Sequence, residues 1–332
     1  MDILSLSYPE LAAALKALAF PKYTAAQLWQ WLHQKHIQSF DECTNLSKEH
    51  RQKLSENFVL PQITVEKEYK SKIDKTLKYV YNCSETLIES AVLEYETGLT
   101  ACISTQAGCK MGCTFCANSP DRFVRNLTAG EMLSQIYLLP TRVKHVVLMG
   151  IGEGLDNYGN VLRFIEIITD EKGYNLSVRN ITLSTCGIVP KIDELAKENL
   201  GITLAISLHQ TTDEGRSRIM PINKRYNIKS VLSAAHRYAD KTGRRVSLEY
   251  AVAPGENDSA EDAKRLTELA KGFHINLIPL NPTDGNATTT SKESARKFKT
   301  RLDNLGASAT LRRTLGADIN AACGQLAVKE LQ

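Results

Sequence analysis

The chain has 332 residues, 42% hydrophobic and 23% charged, with a formal net charge of +4. This is an ordinary globular composition, long enough for a large domain plus a smaller one, and no apolar run approaches the roughly 18 residues of a membrane helix. The mild positive charge permits an RNA partner without requiring one. Eight cysteines behind an N-terminus with no basic signal region point to the cytoplasm, where thiols serve as ligands or catalysts.

Residues 1–60 read as helical. Tyr8-Pro9-Glu10 opens a helix with Leu11, Leu15 and Leu18 on one face. Thr24 is placed to cap a second helix holding Leu28, Trp29, Trp31 and Leu32, and Ser47 to cap a third. Both tryptophans are expected in the core. Residues 61–98 change to short alternating apolar runs with turns near Lys72-Ile73-Asp74 and Asn82-Cys83-Ser84, the pattern of a small antiparallel sheet. Lys67, Lys70, Lys72, Lys75 and Lys78 read as its solvent-facing charge, available to RNA.

From residue 99 strands and helices alternate. Strands are expected at 99–105, 145–150, 180–185, 203–208, 246–252 and 275–280. Helices are expected at 128–139, 161–169, 191–199, 228–242, 260–272 and 292–305. A short last strand at 308–314 leads into a C-terminal segment. Six strand–helix units make a parallel α/β structure, two short of a full barrel, whose active site belongs at the C-terminal strand ends.

Those ends carry the chemistry. Cys109, Cys113 and Cys116 follow the first strand with C-x3-C-x2-C spacing. Three thiols on one tight loop suit an iron–sulfur cluster, and leave one ligand position open. Half of a structural zinc site, or three buried thiols, remain alternatives. Gly150-Ile151-Gly152-Glu153, Ser184-Thr185-Cys186-Gly187, Ser207-Leu208-His209 and Asn281-Pro282 end the second, third, fourth and sixth strands. Each alone is a polar loop start. Together they would line a pocket for a polar small molecule. Taken singly, Cys102 and Cys323 read as buried small residues and Glu89 as a surface carboxylate.

The run from Cys102 to Cys116 resembles the radical SAM adenosine C2-methyltransferases of large-subunit ribosomal RNA. So do Arg125-Asn126-Leu127-Thr128, Pro221-Ile222-Asn223-Lys224 and the segment from Asp318 to Leu326. The resemblance spans nearly the whole chain. It implies a partial (β/α)6 radical SAM barrel at 99–315, with an N-terminal helical, RNA-binding domain at 1–60. A small β extension at 61–98 and a C-terminal segment at 316–332 complete it. Cys109, Cys113 and Cys116 would hold a [4Fe-4S] cluster. Gly152, Glu153, Ser184, Ser207, Leu208, His209 and Asn281 would bind S-adenosyl-L-methionine (SAM). Cys323 would carry the transferred methyl group, Cys102 would form a disulfide with it to release product, and Glu89 would act as general base.

The implied partners are 23S rRNA, possibly with tRNA as a further substrate, and an electron donor such as flavodoxin or ferredoxin. Two SAM molecules would be consumed per turnover by a monomeric enzyme. Close relatives methylate carbon 8 of the same adenine, so that position is the competing regiochemistry. A non-catalytic iron–sulfur or zinc RNA-binding protein is the remaining alternative. Two departures from the family pattern are Gly154-Leu155-Asp156 after Glu153 and the residues that follow Cys116.

Overall fold

The structure, a computed structural model, describes residues 1–118, 123–283 and 289–327. Residues 119–122, which hold most of the second departure, and the chain end after 327 lie outside the described residues.

Three ten-residue helices come first: α1 (Tyr8–Ala17), α2 (Thr24–His33) and α3 (Lys48–Asn57). A capping box closes α1, in which Ser7 N–H donates to Glu10 Oε2 at 2.8 Å, and Ser47 caps α3. Thr24 is the first helical residue of α2, not its cap. Trp29 is fully buried, and its Nε1 donates to Asp170 at 3.0 Å, fastening the helices to the barrel. Trp31 departs from the expected core position: it is half-buried, donates to Asn45 Oδ1 at 2.6 Å and lies beneath Lys35 Nζ at 3.5 Å.

An antiparallel meander follows: β1 (Ile63–Lys70), β2 (Leu77–Cys83), β3 (Thr86–Tyr95) and β4 (Gly98–Cys102). A two-residue pair, β5 (Gln106–Ala107) and β6 (Arg125–Asn126), brackets the cysteine loop. Then come α4 (Ala129–Tyr137), β7 (His145–Leu148), α5 (Tyr158–Thr169), β8 (Ile181–Thr185), α6 (Val189–Glu198), β9 (Thr203–Ser207) and α7 (Asp213–Ile219). The chain continues through α8 (Ile228–Thr242), β10 (Val246–Val252), α9 (Ala260–Leu269), β11 (His274–Pro279), α10 (Lys292–Asn304) and β12 (Ala309–Leu311).

One ten-stranded sheet runs in the order β1-β2-β3-β4-β7-β8-β9-β10-β11-β12. β4 is its joint, antiparallel to β3 and parallel to β7. All later pairs are parallel. All seven residues of β10 are buried, as expected of a parallel strand covered on both faces. The sheet ends at β1 and β12 without closing, so the C-terminal strand ends open on one side.

The lysine reading of the extension needs one correction. Lys78 is buried, and its Nζ pairs with Glu89 Oε1 at 2.9 Å. The reason is the C-terminal segment, which lies over this part of the sheet: Lys78 Nζ also donates to Asn320 O at 3.4 Å. Glu89, read alone as a surface carboxylate, is likewise buried.

Candidate active site

The cysteine loop leaves the barrel between β5 and β6. Gly108 and Gly112 adopt φ of 74° and 71°, left-handed values that let the chain double back between the thiols. Thr114 N–H donates to Ile219 O at 3.0 Å and Ala117 N–H to Gly324 O at 2.9 Å, so the loop is held from outside as well as within.

Cys109, Cys113 and Cys116 line one cavity of about 160 Å³. Burial, together with the neighbouring Glu153 and Cys116 charges, pushes the Cys109 thiol up to about 12. Burial also raises Cys113 and Cys116. Three thiolates therefore need a cationic centre to coexist. Among the described residues no three His, Cys, Asp or Glu side chains converge on a position for a single metal ion. A donor set of three thiols lining one cavity fits an iron–sulfur cluster, whose irons take thiolate ligands.

Strand ends form the other walls. Gly152, Glu153, Ser184, Ser207, His209 and Asn281 line the same cavity. Leu208 does not: its side chain is in the main core, and its carbonyl accepts from Arg216 Nε at 3.2 Å. Gly152 has φ of 108°, and a Cβ there would lie 2.6 Å from Gln106 Cβ, so only glycine fits. Glu153 is buried and accepts from Leu155 N–H at 3.0 Å and Cys186 N–H at 2.8 Å; burial raises its carboxyl above the usual range. His209 accepts from Ala251 N–H at its Nδ1 (3.0 Å) and meets Phe115 edge to face at 4.7 Å. Burial lowers its pKa to about 3. The ring is therefore neutral, with its proton on Nε2.

A second cavity of about 320 Å³ adjoins the first. Cys102 and Cys323 both line it, while Cys323, Cys116, Asn281 and Arg312 line both cavities. Cys323 is exposed by area, yet protein surrounds it: the area it shows is cavity wall. Its segment is tied down at several points. Asn281 Nδ2 donates to Cys323 O at 3.2 Å, Gln325 Nε2 to Pro282 O at 2.9 Å, and Asn118 Nδ2 to Leu326 O at 2.5 Å. Asp318 accepts from Ser71 Oγ and Lys72 N–H, each at 2.8 Å. Beneath it Ala91, Ile151, Ala321 and Leu326 form a small separate core against Cys102.

The implied disulfide is absent: all eight cysteines are free thiols. Cys102 and Cys323 stand in different elements, a strand end and the covering segment, and burial pushes the Cys102 thiol up to about 12, with the Cys323 charge adding to it. Glu89 is not among the residues lining either cavity. Its Oε2 accepts from Ala327 N–H at 3.0 Å, under the C-terminal segment.

Three residues escaped the sequence reading. Glu249 in β10 is buried, accepts from Asn276 Nδ2 at 2.8 Å and pairs with Arg312 at 3.3 Å. Burial disfavours the Arg312 charge, but Glu249 and the neighbouring thiols more than offset it. Arg216 in α7 is fully buried behind the strand ends. A charged residue inside a parallel strand was the one available signal for Glu249; the two arginines gave none.

Strand-end polar groups around a three-thiol loop on an open parallel barrel define a radical SAM enzyme, and residues 103–267 match the radical SAM superfamily. Residues 1–60 match the "Ribosomal RNA large subunit methyltransferase N-terminal domain". The chain is 47% identical to a "Probable dual-specificity RNA methyltransferase RlmN" from Lachnospira eligens, over 100% of this chain and 97% of the relative. It is 46% identical to a protein of the same description from Alkaliphilus oremlandii, over 100% and 99%. The crystal structure of a radical SAM methyltransferase from Sphaerobacter thermophilus superposes with a TM-score of 0.94 at 38% identity, covering 98% and 99% of the two chains. The chain belongs to this family of radical SAM RNA methyltransferases. Membership of the superfamily implies a [4Fe-4S] cluster and SAM.

Proposed function

We propose that this enzyme methylates carbon 2 of an adenosine in 23S rRNA, and also in tRNA, with Cys323 as methyl carrier. The observation that carries the reading is the position of Cys323 on the wall shared by the two cavities. A residue there can take a group on one side and deliver it on the other. The dual-specificity naming of the relatives supports both RNA substrates.

The amidine carbon of adenine is electron-poor and cannot attack a sulfonium methyl group as a nucleophile, so polar methyl transfer to it is closed. The cluster with SAM bound supplies the one-electron chemistry that replaces it. The chain's own groups do the rest. Cys109, Cys113 and Cys116 would hold the cluster, while Gly152, Glu153, Ser184, Ser207, His209, Asn281 and the Leu208 backbone would fix SAM. The Cys323 thiolate takes a methyl group from one SAM: its sulfur–carbon bond forms as the sulfonium bond breaks, and S-adenosylhomocysteine leaves. A second SAM serves the radical step, two per turnover. The methyl group on Cys323 would give up a hydrogen atom to the radical derived from that second SAM, and its carbon would then bond to carbon 2 of the adenine. Glu89, paired with Lys78 Nζ at 2.9 Å, is the proposed acceptor of the ring proton. Cys102 is the second sulfur nucleophile, required for product release.

Residues 1–60 would bind RNA, with 61–98 as an extension, 99–315 as the barrel and 316–332 as the carrier segment. A monomer acting in the cytoplasm with a flavodoxin or ferredoxin donor completes the reading. No helix among the described residues is long and apolar enough to cross a membrane.

Mass spectrometry of nucleosides from rRNA and tRNA incubated with reconstituted enzyme tests this. 2-Methyladenosine is expected in both. 8-Methyladenosine would overturn the regiochemistry, and an unmethylated Cys323 peptide in active enzyme would overturn its role as carrier.

A further inference from the structure

Arg216 has no part in the reading above, yet it is among the largest fully buried side chains of the protein. Its acceptors are all neutral. Nη2 donates to Cys186 O at 2.7 Å and Ser207 O at 3.0 Å, and Nε donates to Leu208 O at 3.2 Å. Nη1 donates to Asn223 Oδ1 at 2.9 Å and Tyr226 O at 3.4 Å. Asp213, the acidic residue on its helix, turns Oδ1 to Asn223 Nδ2 and Ile228 N–H and not to the guanidinium. A buried cation with no carboxylate hydrogen-bonded to it is costly, so its retention asks for a further anion nearby. The geometry names one. Three of its acceptors end β8 and β9, the strands whose tips line the three-thiol cavity. The last residue of its own helix, Ile219, accepts from Thr114 N–H, one residue beyond Cys113. The helix thus joins the strand tips to the cysteine loop and places a positive charge behind both.

We propose that Arg216 is a positioning residue for the iron–sulfur cluster, its buried charge raising the cluster's reduction potential while its hydrogen bonds fix the β8 and β9 ends. The inference rests on the cluster reading above. A [4Fe-4S] cluster on three thiolates is anionic and gains a further negative charge on one-electron reduction, so a fixed cation beside it favours the reduced form.

The test is a redox titration of the anaerobically reconstituted full-length protein, followed by electron paramagnetic resonance, with and without SAM. R216M should lower the reduced-to-oxidised ratio at a fixed applied potential about tenfold, equivalent to about 59 mV for one electron. R216K keeps the charge and loses the fork, so it should stay within about threefold of wild type while melting at a lower temperature. D213N gives a shift of opposite sign and covers the case in which R216M loses its cluster. Asp213 Oδ1 accepts from Asn223 Nδ2 at 3.1 Å and Ile228 N–H at 2.9 Å, bonds an amide oxygen can keep. Removing this negative charge beside Arg216 should raise the ratio about twofold. A fully loaded R216M at the wild-type potential overturns the proposal, as does D213N with an unshifted potential. Wild-type protein that takes up no iron would instead defeat the cluster reading itself.

Discussion

The cysteine loop and the C-terminal segment are built in opposite ways. The loop's three thiols fall within eight residues, Cys109 to Cys116, and two glycines make the turns they need. The segment carrying Cys323 has little structure of its own beyond one short 3-10 turn, Ala317–Ile319. It is held by groups far off in the sequence: Ser71 and Lys72 in the hairpin turn, Glu89 in β3 and Asn118 after the loop, each more than 200 residues away, and Asn281 after β11, 42 residues away. In the proposed mechanism the cluster ligands therefore sit on a local device, and the methyl carrier depends on long-range assembly.

Two cysteine substitutions break this comparison most sharply. Cys113→Ala and Cys323→Ala should each lower methyl transfer about 10³-fold or more. They should part in the visible spectrum: C113A loses the broad absorption of the cluster, whereas C323A keeps it. A colourless C323A protein would mean that the two regions are not separable.

Glu89→Gln comes next. As general base, Glu89 should be worth about 10²- to 10⁴-fold in rate. As the partner of a buried lysine its loss also strands a charge, costing about 3 kcal/mol. The two effects are read apart by pairing E89Q with Lys78→Met. If stability recovers in the double variant but methylation does not, Glu89 acts as base; if both recover, it serves only to hold Lys78 and Ala327. Asn281→Ala is milder. It removes one hydrogen bond to the Cys323 carbonyl, worth about 1 kcal/mol or roughly fivefold in rate. The loss should appear in methyl transfer to RNA, with cluster content unchanged.

The same contrast explains what the sequence could disclose. Strand–helix alternation marked the six parallel strands of the barrel, because each repeats a local apolar pattern. The strand at 246–252 and the helix at 228–242 agree with β10 and α8 residue for residue. The short helix α7 was missed: seven residues, Asp213–Ile219, with one apolar residue at the end, carry no helical periodicity. Arg216 was missed with it, since it is enclosed by loop and strand-end groups, among them the Cys186, Ser207 and Leu208 carbonyls and the Asn223 side chain, that no periodic pattern announces. Lys78 was misplaced for the matching reason. Its strand is covered by a segment about 240 residues further on, and no local pattern announces that cover. Leu208 shows the limit of transfer by motif: it was named with Ser207 and His209 for SAM, while its side chain belongs to the core.

A further effect concerns pH, and it compares the helical region with the active site through two buried histidines. His33 in α2 and His209 after β9 both have pKa values lowered to about 3 by burial, the first with help from His36. His33 Nδ1 stands 2.9 Å from Tyr137 OH, while its Nε2 is buried without a hydrogen-bond partner. In the unfolded chain a histidine titrates near 6.5. Below that pH the unfolded state binds a proton that the folded state refuses, so stability is full above about pH 6.5 and falls as the pH drops toward 3. The slope is about 1.4 kcal/mol per unit for each residue. Urea midpoints measured from pH 7.5 to 4.5 should therefore fall for wild type and fall less for His33→Gln, so that the two curves approach each other as the solution is acidified. Parallel curves would show that His33 takes up its proton inside the fold, and the acid sensitivity would then rest on the other histidines that burial lowers, His36, His209 and His274.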